Sequence, residues 1–270
     1  MPKLSWNGDD FQNPQDSSGT ATEKISGGGL EQGYFHGSLT RGLVAYYPMS
    51  SGSGSTLFDS TALSNDGTLK PGGSGTTSAD NMWTSGKLGS YSLSFDGTDD
   101  YVEIPDPDNY TLTQPYTISC WIYPRGNSSA NNPGILAKGP FNDNADLQME
   151  YREASDERAI RFLHDWNTDN HFFDSSAGSV PLNQWSLITF TYAGGVRKIY
   201  VNSVEENSYS DSTGQDTNSN SWWIGQKGGT YFDGKIDDIR FYNRKLSEPE
   251  IQALYNLSNP SKISEEDTLV

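Results

Sequence analysis

The chain has 270 residues and a formal net charge of −17, from 35 acidic and 18 basic side chains. So acidic a surface repels phosphates, which argues against a nucleic-acid binder, and no apolar run approaches the about 18 residues of a membrane-spanning helix. Hydrophobic residues make up 33% and aromatic residues 12%, with 28 glycines, a composition that favours a loop-rich β protein with an aromatic core over a helical bundle.

Residues 1–41 are predicted to form an N-terminal arm. This segment is rich in Gln, Asn, Ser and Gly and has no apolar periodicity, and its hydrophobic residues are isolated, as at Trp6 and Phe35. Such a segment is either extended and disordered or becomes ordered on a partner. The first ten residues lack the apolar core of a signal peptide, so we expect no export by that route.

From residue 42 onward, short apolar or alternating runs separated by turn residues predict many strands. Asp96-Gly97 and Asp233-Gly234 are examples of the turn signals between them. The predicted strands are Leu43–Tyr47, Ser90–Phe95, Tyr101–Ile104, Tyr116–Tyr123, Ile135–Lys138, Leu147–Tyr151, Ala159–His164, Ser186–Tyr192, Lys198–Val201, Trp222–Gly225 and Lys235–Tyr242. Short strands at this spacing indicate two packed sheets.

The segment from Tyr116 to Ile122 shows the clearest alternation. Tyr116, Ile118, Cys120 and Ile122 share one face of the predicted strand, and we expect that face to be buried. Cys120 is the single cysteine, so no intrachain disulfide can form, and its thiol is expected to fill the core as a small hydrophobic group.

One helix is predicted, near the C-terminus. Ser247 and Glu250 fit a capping box, and Ile251, Leu254 and Tyr255 then form a short apolar face. The chain beyond it, 258–270, turns polar and acidic and is predicted to be a tail.

Four blocks of this sequence resemble LamG-like jelly-roll domains of the concanavalin A-like lectin/glucanase superfamily. They are the segments 42–49, 92–102, 117–124 and 232–247, and the last is the most similar. The resemblance implies an all-β fold over residues 42–257: a two-sheet antiparallel jelly-roll sandwich with one short C-terminal helix, preceded by the extended arm. Domains of this kind bind glycans, bind proteins or assemble structures, so fold alone does not decide function.

The resemblance also implies a calcium site that joins early and late strands. Its candidate ligands here are Asp59, Asn65 and one of the adjacent pair Asp237 and Asp238, because calcium takes six to eight oxygen ligands from carboxylates and carbonyls. The alternatives are an ion pair with Arg240 or Lys235, or an aspartate that caps a turn. A second acidic segment, Asp96–Asp100, is more typical of a plain turn than of a cation site.

Aromatic residues near polar loops are the candidate glycan contacts. Trp166 and His171 lie in a predicted hairpin tip, where an exposed ring beside amides and carboxylates would suit sugar stacking. Trp222 and Trp223 are adjacent in a predicted strand, so one ring should be in the core and the other could be exposed. The alternative for the hairpin is a polar tip without a ligand.

We expect no enzymatic activity. The Glu-x-Asp-x-x-Glu strand of the fold's hydrolases is absent, and the sequence contains no nucleophile elbow or phosphate-binding loop. The hypothesis is an adhesion or assembly domain at a virion surface that binds a glycan or a surface protein and forms a homo-oligomer, with the arm contacting other structural subunits. The alternatives are a carbohydrate-binding module of an extracellular or cell-surface protein and, less favoured, a glycoside hydrolase of the same fold.

Overall fold

A computed structural model shows two antiparallel β-sheets packed face to face, with one short helix on the outside of the first sheet. The structure describes residues 39–75, 77–105, 112, 115–126, 132–139, 147–153, 157–164, 172–210 and 220–258. The predicted arm and the predicted acidic tail therefore lie outside the described residues, apart from 39–41 and 258. Leu39 already packs against the domain, because its side chain is buried beside the helix.

The first sheet, called sheet I, contains eight strands. They are β1 (Leu43–Tyr47), β4 (Trp83–Ser85), β5 (Tyr91–Asp96), β7 (Tyr116–Pro124), β12 (Ser186–Ala193), β13 (Val196–Val201), β14 (Val204–Ser210) and β18 (Asp233–Tyr242). The order is β14-β13-β12-β7-β18-β5-β4, and β1 pairs with the later half of β18.

The second sheet, called sheet II, contains ten strands. They are β2 (Thr56–Leu57), β3 (Gly67–Lys70), β6 (Tyr101–Ile104), β8 (Gly134–Lys138), β9 (Leu147–Arg152), β10 (Ala159–His164), β11 (Phe172–Asp174), β15 (Trp222–Ile224), β16 (Gln226–Lys227) and β17 (Thr230–Tyr231). The main order is β11-β10-β9-β8-β15-β6-β3-β2.

The core lies between the sheets and is rich in aromatic rings, as the composition predicts. Phe162 of sheet II stacks on Phe190 of sheet I with ring centroids 3.9 Å apart, and Trp222 meets Phe241 edge to face at 5.0 Å. Each large apolar side chain buried in this way contributes roughly 1.5–3 kcal/mol. The predicted alternation in β7 is confirmed, since its four named residues all face the core.

Cys120 is part of that core. It is 1% exposed, its thiol lies 3.9 Å from the sulfur of Met149, and burial raises the pKa of the thiol to about 12. The thiol therefore fills space in the core as an uncharged group, as predicted.

The helix α1 (Glu248–Asn256) covers the outer face of sheet I. The predicted capping box is present, because the backbone N–H of Ser247 donates to Glu250 Oε2 at 2.8 Å. Its buried residues Ile251 and Leu254 pack with Trp121 of β7. No helix among the described residues has the length and apolar character needed to cross a membrane.

The predicted fold class, a two-sheet antiparallel sandwich with one short C-terminal helix, is confirmed. The strand predictions agree with the structure to within one or two residues, and they omit strands β2, β3, β4, β11, β14, β16 and β17. These strands are either very short or, in the case of β14, polar and exposed, so they lack an apolar pattern.

Candidate functional site

The candidate glycan-binding aromatic residues fall into two groups. Trp166 and His171 lie outside the described residues, so the structure does not test the prediction that they contact a glycan. In the adjacent tryptophan pair, Trp222 is 1% exposed and belongs to the core, whereas Trp223 is half-buried and lies on the outer face of sheet II. Only Trp223 of this pair is placed to meet a ligand from solvent.

Asp59, a predicted calcium ligand, organises the loop between β2 and β3. Its Oδ1 accepts hydrogen bonds from the backbone N–H groups of Tyr46 and Thr61 at 3.0 and 2.9 Å. Its Oδ2 accepts from Thr61 Oγ1 at 2.9 Å and from the backbone N–H of Asn65 at 3.0 Å. Both oxygens thus serve as a turn cap, the second alternative that the sequence left open.

Asp238 forms the other alternative, an ion pair. Arg240 donates from Nε to Asp238 Oδ1 at 2.6 Å and from Nη2 to Oδ2 at 3.0 Å, and the Tyr46 hydroxyl donates to Oδ2 at 2.9 Å. This bidentate pair is buried, with the Arg240 guanidinium 4.5 Å from the Tyr46 ring centroid. The guanidinium of Arg240 therefore neutralises the Asp238 carboxylate.

Asp237 occupies a separate environment on the outer face of sheet I, opposite Trp121 in the register of β18 and β7. Its Oδ2 accepts from the backbone N–H groups of Lys87 and Leu88 at 2.7 and 2.9 Å, while its Oδ1 is buried without a hydrogen-bond partner. Burial raises the pKa of Asp237 to about 7, although these two N–H groups act in the opposite direction.

A β-bulge explains why both neighbouring aspartates are buried. The pairing of β18 with β7 shifts register between Asp237 and Arg240, and Asp238 has a positive φ of 49°. A bulge breaks the strict alternation of a strand. The Asp238 side chain therefore lies on the same face as Asp237, where it contacts Tyr46.

The predicted calcium ligands have other partners in this structure, and Asn65 contributes its backbone N–H to Asp59. Asp59, Asp237 and Asp238 do not form a group of converging carboxylates, and protein donors already occupy most of their oxygens. Across the described ranges, the one such acidic group is Asp96, Asp99 and Asp100, whose ligand atoms lie within 4.8 Å of one another. Calcium binding stays a prediction for this chain.

The acidic group also has the hydrogen bonds of a turn. Asp96 Oδ1 accepts from the backbone N–H of Thr98 at 2.8 Å, and Asp100 accepts from the backbone N–H groups of Gly72 and Asp96 at 3.4 and 3.2 Å. These bonds agree with the turn that the sequence favours, and we assign no metal to the group.

The outer face of sheet II contains a row of side chains that cross five strands. Register pairs place one residue from each strand side by side, and we call this set the amide row: Trp223, Ala137, Gln148, Leu163 and Phe172. The neighbouring residues Leu147 and Met149 of β9 point into the core, which confirms that Gln148 points outward. Trp223 and Phe172, at the ends of the row, reach solvent, whereas the three central residues are buried.

A second row on the same face consists of charged groups that pair with one another. Glu150, Arg161 and Asp174 lie side by side in the register of β9, β10 and β11. Glu150 receives a hydrogen bond from Lys227 Nζ, and Arg161 donates from Nε and Nη2 to the two oxygens of Asp174 at 2.8 and 2.9 Å. Burial raises the pKa of both carboxyls, and neighbouring cations counteract it.

Gln148 differs from these charged neighbours because its side-chain amide lacks a hydrogen-bond partner among the described residues. Its side chain is 1% exposed, and neither its amide oxygen nor its amide nitrogen has a hydrogen-bond partner among the described residues. A buried amide without partners is unfavourable and uncommon in native proteins. Gln148 therefore keeps an unmet donor and an unmet acceptor below the surface, two strands away from the half-buried ring of Trp223.

Sequence reasoning missed Gln148 as a functional candidate. The available signal was the alternation Leu147-Gln148-Met149-Glu150-Tyr151, which predicts that Gln148 and Glu150 share the outward face. That alternation does not show that Glu150 is paired while Gln148 is not, because the pairing depends on Lys227, some 77 residues away.

Comparison with known proteins gives one family and several solved structures. The sequence profile described as the concanavalin A-like lectin/glucanases superfamily matches residues 96–252. No curated protein matches the chain. Domain 4 of AbnA, a GH43 extracellular arabinanase from Geobacillus stearothermophilus solved with arabinotriose, is similar in fold: TM-score 0.61, 20% identity, covering 79% of this chain and 98% of that one.

Two other similar structures belong to larger proteins. The receptor-binding domain of botulinum neurotoxin C/D mosaic serotype has a TM-score of 0.62 at 14% identity, covering 80% of this chain and 51% of that one. A sialidase from Trypanosoma rangeli has a TM-score of 0.59 at 18% identity, covering 79% of this chain and 32% of that one. The chain thus spans about half of the toxin domain and a third of the sialidase, and at these identities the likeness concerns the fold.

Proposed function

Because this chain belongs to the concanavalin A-like lectin/glucanases superfamily, we propose that it is a non-enzymatic recognition domain that serves adhesion or assembly by binding a glycan or a surface protein. The observation that supports this most is the outer face of sheet II. That face combines the half-buried Trp223 with an unpartnered buried amide at Gln148. Aromatic rings and a few convergent polar groups are the usual equipment of a binding site for neutral ligands.

The proposed lack of catalysis rests on the state of the acidic side chains on this face. Glu150 is paired with Lys227, and Asp174 with Arg161. A glycoside hydrolase needs two carboxyl groups free to act as acid and as base or nucleophile. Carboxylates held in ion pairs are poorly suited to either role.

One experiment tests binding and catalysis together. The purified protein is run by affinity electrophoresis through gels that contain single polysaccharides, and the same polysaccharides are assayed for newly released reducing ends. We expect retardation in at least one gel, or binding to a surface protein, without release of reducing ends. Release that disappears in Glu150→Gln would overturn the non-enzymatic proposal.

A second candidate is a carbohydrate-binding module of an extracellular or cell-surface protein. It is favoured by the likeness to domain 4 of AbnA, which this chain covers almost completely and which was solved with arabinotriose. Retention by arabinan above all other polysaccharides would support this candidate.

For location, we propose a virion surface, where the segment 1–41 would contact other structural subunits and the domain would form a homo-oligomer. The support is the composition of that segment, with isolated hydrophobic residues in a polar background. Mass spectrometry of purified particles tests it: the intact chain should be present in stoichiometric amounts, and its absence from particles would favour the carbohydrate-binding module.

A further inference from the structure

We propose that the side chain of Phe35 docks into a surface cavity between strand β13 and helix α1, so that the end of the N-terminal arm is held on its own domain. Phe35 itself lies outside the described residues. The inference goes beyond the proposed function. It rests on the cavity, on the place where the described chain begins, and on the spacing of apolar residues in the sequence.

The cavity lies where the segment that leads into helix α1 passes the outer face of sheet I. It has a volume of about 410 Å³ and is lined by Tyr200, Lys245, Leu246, Ser247, Glu248 and Pro249. Tyr200 and Leu246 are buried and form its floor, whereas the other four residues are exposed and form its rim. A cavity of roughly 150 Å³ already holds a benzene molecule, so this one has room for a phenyl ring.

The described chain begins beside this cavity. Leu39 is buried in the same apolar cluster as the two floor residues, Tyr200 and Leu246. Just after Leu39, the backbone carbonyl of Arg41 accepts a hydrogen bond from Arg244 Nε at 2.7 Å, which holds the chain in place. The residues that precede Leu39 therefore leave the domain within reach of the cavity.

The spacing of apolar residues selects Phe35 as the occupant. Phe35 precedes Leu39 by four residues, and residues four apart lie on the same side of a helix and of a strand. The two Cα atoms would be about 6 Å apart in a helix and about 13 Å apart in a strand. Tyr34 is five residues from Leu39 and would point to a different side in either conformation. Phe35 can thus enter the cavity while Leu39 stays in its cluster.

The chemistry of the cavity favours an uncharged ring over a charged side chain. Its floor consists of a tyrosine ring and a leucine side chain. Its rim carries one cation and one anion, Lys245 and Glu248, and Glu248 also lies 4.0 Å from Lys198 Nζ. Docking would remove apolar surface from water without burying an unpaired charge, so the contact is expected to be stabilising.

The test uses the full chain and three single substitutions in the arm. Phe35→Ala removes the proposed occupant, Tyr34→Ala removes the neighbouring ring, and Phe11→Ala removes the same type of ring farther upstream. All three positions precede the described domain, so each variant should fold. Thermal unfolding gives the Tm of each protein, and ¹H–¹⁵N spectra show which backbone amides sense each substitution.

We expect Phe35→Ala to lower the Tm by roughly 3 °C or more and to shift the amide signals of residues 245–248, with little change in either control. Both effects should persist at concentrations where size-exclusion chromatography shows a monomer. If Phe35→Ala leaves the Tm and these signals unchanged, or if Tyr34→Ala acts equally, the inference is wrong. Effects that occur only where the chain self-associates would mean that the arm of a second copy fills the cavity, and the proposed contact within one chain would be wrong. Ligand binding by the domain tests the proposed function separately.

Discussion

The two sheets of the sandwich differ in what lies on their outer faces. On sheet I the chain covers its own outer face: helix α1 lies over Trp121, whose ring stacks on Tyr255 with centroids 5.7 Å apart. On sheet II the corresponding face carries the amide row, which begins at a half-buried tryptophan and contains an unpartnered amide. Both faces are thus buried at their centres, but an apolar helix packs on sheet I, whereas the buried row of sheet II includes a polar side chain without a hydrogen-bond partner.

The largest expected effect contrasts one tryptophan from each outer face. Trp121→Ala should cost about 3–5 kcal/mol of unfolding free energy, because it empties a buried position beneath the helix. Trp223→Ala should cost clearly less than Trp121→Ala, because part of the Trp223 ring is exposed. Urea unfolding measures both, and equal costs would contradict the contrast between the faces.

A second expected effect concerns the pH dependence of stability through Asp237. Burial raises its pKa in the folded protein from 3.8 to about 7, so between these values the folded state holds a proton that the unfolded state has released. Stability from this group is therefore present below about pH 4 and is lost as pH rises toward 7, by up to roughly 4 kcal/mol.

Asp237→Asn keeps an acceptor oxygen for the two N–H groups of residues 87 and 88 but cannot ionise. We expect it to match the wild type near pH 3, where Asp237 is protonated in both the folded and the unfolded state, and to be more stable at pH 8, in urea unfolding at both values. A parallel pH dependence in the two proteins would show that Asp237 ionises normally.

A smaller effect is expected for the apo protein at Gln148. Gln148→Leu removes a buried amide that has no partner, so the variant should be as stable as the wild type or more stable by about 1 kcal/mol. Glu150→Leu is the matched comparison, because it leaves Lys227 without the carboxylate that it contacts and should destabilise. Destabilisation of similar size in both variants would mean that Gln148 has a structural partner.

The smallest expected effect is that of calcium on the predicted ligands. Because backbone N–H groups already satisfy Asp59 and Arg240 already pairs with Asp238, we expect chelation and calcium addition to change the Tm little. A calcium-dependent rise in Tm that is lost in Asp59→Asn would contradict this expectation and support the predicted ligand set.

The sequence predicts the sandwich because the signals are local. Alternation in β7 and turn residues such as Asp96-Gly97 need no knowledge of distant contacts. Strand β14 was missed because its residues are polar; it forms through a tight turn at Asn202 and Ser203, both with positive φ (50° and 69°), which folds it back on β13.

The candidate site was less predictable because it depends on long-range pairing. The bulge at Asp238 reverses the face that simple alternation assigns to it. Which polar residue of β9 remains unpaired is decided by Lys227, a residue of β16 that no local pattern connects to Glu150.

The most direct test observes the Gln148 side chain itself. In a ¹H–¹⁵N spectrum, its amide resonances are assigned by their loss in Gln148→Leu, and the wild type is titrated with the neutral glycan that binds best. We predict that these resonances shift saturably together with the Trp223 indole signal. Saturable binding that leaves both signals in place would put the recognition surface elsewhere on the domain.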